Sequence, residues 1–483
     1  MHMVDRPNGP YDAIIVGSGF AAAFFLHRYL SHAGPSARVL VLERGRLMSH
    51  SEQVLRRVNS DLPQHTTWQK RGRPDKDWNF TLGFGGSSNC WWGNTPRPHP
   101  NDFKLKSLYG VGRDWPISYD DIETYLGEVE EIMEISGPNE ALPWPKSRPY
   151  PLPAHRLTLP DKLLMQAYPG QHISIPTARP SRPAKSRPQC CVNGVCNLCP
   201  IDSKFTLLNS FMAPFEDPRV SVMLGAEVRS VDSTGGRATG VVYRTNGRDE
   251  RVSGDLVVLA AHAIFNPVIL MRSGLTHPQL GRNLHEQLAI HGEVLLRGLD
   301  HFQGSTVTTA LNYSQYDGAF RATQASVLVE IWNIGQFRSE PDRWLQVMPF
   351  MMKFEDLPEL RNRVELDATD PDRPLVIFEN YSDYALRTYA RARAIAEKIF
   401  EPLPVEDIRI DPEPVSTSSH IHGTTIMGND PSSSIVDRFQ IHHGVRNLVV
   451  LGSGNFPSGS QTNPTLILSA LAMRTADKIG GST

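Results

Sequence analysis

Cysteine is scarce: five in 483 residues, too few for a disulfide framework, and a chain this long builds a core without such staples. Long apolar runs are missing as well. No stretch approaches the roughly 18–20 residues that a membrane helix requires, and Met1 to Pro10 is polar where a secretion signal would carry an apolar core. The expected location is therefore the cytoplasm, with export only in the company of a partner. Nor is there an excess of charge: 49 Lys+Arg face 51 Asp+Glu, which argues against nucleic acid as a partner. With 21% charged and 40% hydrophobic residues, the composition excludes a disordered chain. Met1-His2-Met3 resembles an expression scar and is set aside.

The few cysteines are unevenly placed. Cys90 stands alone, whereas Cys190, Cys191, Cys196 and Cys199 crowd into one short segment. In a chain without a secretion signal, such crowding points to metal or redox chemistry.

Residues 11–16 are mostly apolar and run into Gly17-Ser-Gly19-Phe-Ala-Ala22 and a helix-like stretch, Ala23 to Leu30. This is a strand, a tight turn and a helix. Glycines let the backbone approach a pyrophosphate, whose charge the helix N-terminus holds; Ala22 replaces the third glycine. A second strand, Val39 to Leu42, ends in Glu43, about 20 residues on, where a carboxylate would meet ribose hydroxyls. The pattern predicts dinucleotide binding without separating FAD from NAD. A second glycine cluster, Gly83-Phe-Gly85-Gly86-Ser87-Ser88-Asn89-Cys90-Trp91-Trp92, suits a buried loop along a cofactor, because two tryptophans on a surface turn would expose much apolar area.

Near the other end, Ser416 to Gly428 contains His420 and His422. A strand-like run, Asn447 to Leu451, leads to Gly454-Asn455-Phe456-Pro457, then Asn463-Pro464-Thr465-Leu466 and an apolar helix from Ile467 to Ile479. Together with Gly17–Glu43, Gly85–Ser88 and the Asp114–Asp121 segment, this resembles the glucose–methanol–choline (GMC) family of FAD oxidoreductases. It is most similar to the sugar-oxidising branch: pyranose oxidases and the catalytic subunits of bacterial FAD-dependent glucose and gluconate dehydrogenases.

The resemblance implies a mixed α/β and α+β architecture, a Rossmann-like FAD-binding domain with an antiparallel-sheet substrate domain. The FAD-binding part is expected from 8–135, 190–287 and 416–483, a Pro-rich excursion or lid from 136–189, and the substrate domain from 288–415. It implies oxidation of an alcohol CH–OH group of a sugar or glycoside, with a base taking the hydroxyl proton while hydride moves to flavin N5. The matching positions are His420 as base and Asn463 as its partner. His422 is a second candidate base, on the same face as His420 if the segment is extended. Histidine is the natural base near neutral pH, and asparagine orients a hydroxyl without titrating. Cofactor contacts are expected from Gly17, Gly19, Ala22, Glu43, Gly85 to Cys90, Gly454, Asn455, Pro464, Thr465 and Leu466. Main-chain N–H groups at Thr465 and Leu466 are placed to meet negative charge at the flavin N1/O2 edge.

Some sugar-oxidising relatives carry, where Cys90 stands, a histidine joined covalently to the flavin. A thiol there could bond likewise, although a small buried cysteine is more often inert packing. Bacterial glucose dehydrogenase subunits carry a three-iron cluster on a Cys-Cys-x4-Cys-x3-Cys loop. Here the last gap is x2, and one residue is roughly 3.5 Å of chain. Iron–sulfur ligation by Cys190, Cys191, Cys196 and Cys199, zinc, a disulfide and no metal all stay open, and with them the electron acceptor: oxygen, a quinone or a protein. A redox-neutral lyase is the other reaction class within the family.

Eleven prolines between 143 and 188 argue against regular helices there. Strands are expected at Leu288–Leu296, Gln324–Trp332, Trp344–Met352 and Leu375–Glu379, and an amphipathic helix at Ala385–Ile399. The family commonly has glycine at His262. His285-Glu286-Gln287 departs from the usual ending of its segment, and no catalysis is assigned to it. Trp332 and Tyr381 are candidates for stacking on a sugar or for core packing.

Overall fold

The computed structural model describes residues 1–139 and 141–481. Residues 140, 482 and 483, within the expected excursion and the expected last segment, lie outside them. Apolar, β-branched Tyr11–Val16 and Val39–Glu43 pair in parallel, Val16 opposite Leu42, and are almost wholly buried, as strands covered on both faces must be. Val220–Leu224 extends the sheet beyond Val39–Glu43, and His2–Met3 pairs at its outer edge, so the residues set aside as a scar take part in the fold. On the other side lies Arg248–Leu259. Its second half pairs in parallel with Tyr11–Val16 and Leu448–Val450, and its first half is antiparallel to Arg237–Thr245. Parallel pairing brings the C-terminal ends of residues 16, 43, 259 and 450 to one edge, where a ligand crevice opens in such sheets. Helix Phe20–His32 and the last helix, Thr465–Gly480, pack together, and Asp477 meets His32 at 2.7 Å, so the chain's two ends close over the same sheet.

A second sheet of six strands is antiparallel throughout, in the order Val405–Ile410, Leu288–Leu296, Val347–Phe354, Val327–Trp332, Thr308–Asn312 and His172–Ser174. Three expectations are corrected. The Pro-rich excursion does hold a helix, Leu159–Ala167, because Pro160 sits in its first turn, where no N–H is needed, and Thr158 and Asp161 cap it reciprocally. Strand Pro374–Phe378 is not in the six-stranded sheet; it joins Arg363–Leu366 and Gln69–Gly72 in a separate sheet of three. The helix expected over 385–399 is two, Asp383–Tyr389 and Ala392–Phe400, interrupted at Ala390–Arg391. The first begins where Ser382 caps Ala385 N–H.

Ser382 is held by Asp356, a carboxyl 3% exposed that accepts from Ser382 N–H and Oγ while its other oxygen has no partner. Burial pushes this carboxyl up to about 7. An acid whose folded pKa is raised stays protonated in the fold after the unfolded chain has ionised. Its contribution to stability is full below about pH 4 and is lost as pH rises toward 7. Chemical denaturation at pH 5 and 8 should show that the stability difference between wild type and Asp356→Asn shifts against the wild type as pH rises, by on the order of a few kcal/mol. Equal slopes in the two proteins would refute it.

Candidate active site

The strand ending at Val16 turns at Gly17, whose φ of +97° is left-handed and where a Cβ would stand 2.6 Å from the Ala260 carbonyl oxygen; only glycine fits. Gly19 then caps helix Phe20–His32, leaving its first N–H groups free for an anion. The second glycine loop folds against this turn. A Cβ on Gly86 would lie 3.1 Å from Gly19 Cα, and Gly85 N–H donates to Ser18 Oγ. Between them runs a cleft lined by Gly17, Gly19, Glu43, Gly86 and Ser87, as expected, and also by Phe80, Arg44, His262, Phe265, Gly452 and Ser453.

Glu43 does not wait as a free carboxylate. One oxygen accepts from Ser18 N–H and Oγ, the other from Gly45 N–H at 2.9 Å. Ala22 packs inside its helix and Leu466 inside the last one, both fully buried. Ser88 and Asn89 are buried beneath their loop; Asn89 donates to Phe84 O, and Cys90 is half-buried with its thiol toward Ser87 O. Gly454 and Asn455 are buried too, Asn455 accepting from Thr425 Oγ1, so the cleft wall there is Gly452–Ser453. Pro464 caps the last helix, leaving the N–H groups of Thr465 and Leu466 without intrahelical acceptors. His262 holds φ +86°, the conformation that glycine adopts without strain, and its ring packs 4.4 Å from Phe80. Burial pushes this imidazole down to about 4, so the ring facing the cleft is neutral.

His420 and Asn463, far apart in sequence, meet: Asn463 Nδ2 lies 3.0 Å from His420 Nε2. Burial first, and the Lys353 ammonium second, holds the His420 imidazole well below its ordinary value, leaving it neutral at neutral pH. Residues that the sequence did not single out surround the pair. Gln287 Oε1 lies 2.8 Å from His420 Nδ1, and Lys353 Nζ donates to Asn463 Oδ1 at 3.3 Å and to Glu330 at 2.5 Å. The segment 417–420 is anchored by buried Glu286, which accepts from Thr417 Oγ1 and the backbone N–H groups of Ser418 and His420 and pairs with Lys76. The unusual His285-Glu286-Gln287 run was the one available signal, and two of its three residues position the base segment.

His422 takes no part in this hydrogen-bond network. It is 1% exposed, its ring stacks on Phe456 at 5.1 Å and faces His285, and neither ring nitrogen has a hydrogen-bond partner. Gly459 fits against both rings; a Cβ there would be 2.7 Å from His422 Nδ1.

Two family models described as GMC oxidoreductase match residues 11–289 and 358–472, which is more than half of the chain. The chain is a GMC oxidoreductase. Among its relatives, the fructose dehydrogenase large subunit of Gluconobacter japonicus is 27% identical across 97% of both chains. The 6'''-hydroxyparomomycin C oxidase of Streptomyces lividus is 25% identical over 97% of this chain and 91% of that protein. The fold of this GMC oxidoreductase is also similar to that of an Aspergillus oryzae formate oxidase variant studied for FAD modification. There the TM-score is 0.70, with 14% identity over 99% of each chain.

FAD is the cofactor of this flavoprotein family, and the residues fit it. Gly17 and Gly86 let bare backbone close on Ala260 and Gly19, where a Cβ would collide or crowd, so that the main chain itself lines the cleft, and the buried Gln461 amide, two residues before Asn463, has both its polar atoms without partners. Iron–sulfur ligation, one of the readings open for the cysteine loop, finds no support here. Cys190, Cys191, Cys196 and Cys199 line one small pocket with Arg179 and Lys204, yet among the described residues no three histidine, cysteine, aspartate or glutamate side chains are grouped to hold a metal ion. Cys191 is exposed while Cys196 is buried, and all the cysteines are free thiols.

Proposed function

We propose that this GMC oxidoreductase oxidises a CH–OH group of a sugar or glycoside, with His420 as base and Asn463 as hydrogen-bond donor. The observation that carries the reading is the 3.0 Å contact between His420 Nε2 and Asn463 Nδ2. A hydroxyl bound there would give its proton to the imidazole lone pair while its oxygen, becoming alkoxide-like, accepted from the amide. FAD, when bound, supplies the hydride acceptor. The neutral imidazole needs no prior deprotonation at neutral pH.

The substrate class rests on the sheet above the pair. Glu330 and Trp332 share a strand face, Met351 is directly opposite Glu330, and His291 is opposite Met351, so these side chains stand together beside Lys353. Trp332 is half-buried and packs 5.4 Å from Trp92, which suits a ring whose open part stacks on a sugar. Tyr381, the other candidate, is 2% exposed against Phe378 and belongs to the core. Relatives named for fructose and for an aminoglycoside agree with this class.

Anaerobic mixing of the FAD-loaded enzyme with monosaccharides, glycosides and short alcohols tests the proposal through loss of the flavin band. Bleaching by sugars or glycosides is expected. Bleaching by short alcohols alone overturns the substrate class, and an unbleached flavin overturns the oxidation.

A further inference from the structure

Resting on the reading of His420 as base, we propose that Lys353 and Gln287 are positioning residues that fix the polarity of the catalytic pair from both ends. In this arrangement His420 carries its proton on Nδ1, and its Nε2 lone pair, which accepts from the Asn463 N–H, is the acceptor that a substrate hydroxyl takes over. The argument uses only which groups can donate. An amide's oxygen and nitrogen are alike in outline, and a neutral imidazole has two tautomers, so each must be assigned from its partners.

From one end, Lys353 Nζ is donor-only and reaches Asn463 at 3.3 Å, so the atom it meets is Oδ1. The Asn463 NH2 group then faces His420 Nε2 at 3.0 Å, and that nitrogen must accept. From the other end, the backbone carbonyls of Ser460, at 2.5 Å, and Thr462, at 3.4 Å, can only accept, so the Gln287 NH2 group faces them. Gln287 Oε1 therefore accepts from His420 Nδ1 at 2.8 Å and from the Ser418 hydroxyl at 3.0 Å. The two chains of reasoning share no group except the imidazole, and both place its proton on Nδ1.

The supports are rigid. Gln287 is 3% exposed, and Lys353, 1% exposed, is secured by Glu330 across neighbouring strands, whereas His420 and Asn463 are the partly open members. Lys353 thus acts on the reaction through Asn463. Without it the amide can turn, present an oxygen to Nε2, and favour the tautomer whose proton blocks the base.

The test follows the proton. In FAD-loaded protein labelled with 15N-histidine, with the His420 signals assigned by their loss in His420→Gln, Nδ1 is expected to be protonated and Nε2 bare. The double variant Lys353→Met/Glu330→Gln leaves no unpaired charge in the sheet. It is expected to slow flavin reduction at saturating substrate by roughly 10- to 100-fold with substrate affinity little changed. Lys353→Arg, which still only donates, should retain more of the rate than the double variant. A wild-type proton on Nε2 overturns the proposal, as does a folded, FAD-replete double variant that reduces at the wild-type rate. If the double variant does not fold, the wild-type spectrum alone decides. If no sugar or alcohol reduces the wild-type flavin, the oxidation reading fails while the position of the proton still tests the polarity.

Discussion

Replacing His420 by alanine is expected to slow substrate-driven flavin reduction by about 10²- to 10⁴-fold, the range a positioned general base supplies. FAD content should be unchanged, because His420 is not among the residues lining the nucleotide cleft. In the proposed mechanism the base is the neutral imidazole. Since burial and Lys353 hold its pKa well below the ordinary value, the wild-type rate should stay level across neutral pH and fall only on the acid side, as protonation removes the lone pair. In His420→Ala that acid limb should vanish along with most of the rate. Single-turnover stopped-flow across pH measures both, and an alanine variant reducing its flavin at the wild-type rate would refute the role.

Lys76→Met should be the most destabilising single change near the site. The ammonium is 4% exposed and the Glu286 carboxylate fully buried. Burial lowers the Lys76 pKa, opposed by the Glu286 charge, so the cation persists because of its partner. Methionine would fill much the same space over the Trp78 ring but leave the carboxylate uncompensated, a loss of about 3–5 kcal/mol. Glu286 also anchors residues 417–420, so activity should fall with stability. Lys76→Met/Glu286→Gln removes both charges and should recover much of the denaturation midpoint in urea. A single variant as stable as wild type would show that the pair is not held as described.

The doubly wound sheet was legible because its strands and turns are local: Val16 before Gly17, Val39–Glu43, and Leu448–Val450 before Gly452 each carry their own pattern. The excursion was less legible, since proline counts say nothing of position. One proline in the first turn and a capping threonine suffice for a helix. For the cysteine loop, spacing proposes ligands and the fold places them: all four thiols line one small pocket, without a grouped ligand set among the described residues.

His420 and Asn463 could be named from sequence because each stands in a recognisable segment, and the structure brings their side chains together. Lys353, Glu330 and Gln287 could not. Two are alternating residues on ordinary strands with nothing in their neighbours to mark them, and the third ends a loop whose unusual His285-Glu286-Gln287 run gave a signal but no role. What the linear order of residues determined by itself was the nucleotide fold and which two groups, His420 and Asn463, are proposed for its reactive end, because these depend on short-range turn and helix chemistry. Which atom of each group faces the substrate was decided by tertiary structure alone. Donor and acceptor direction passes through partners more than a hundred residues away, and no local pattern records them.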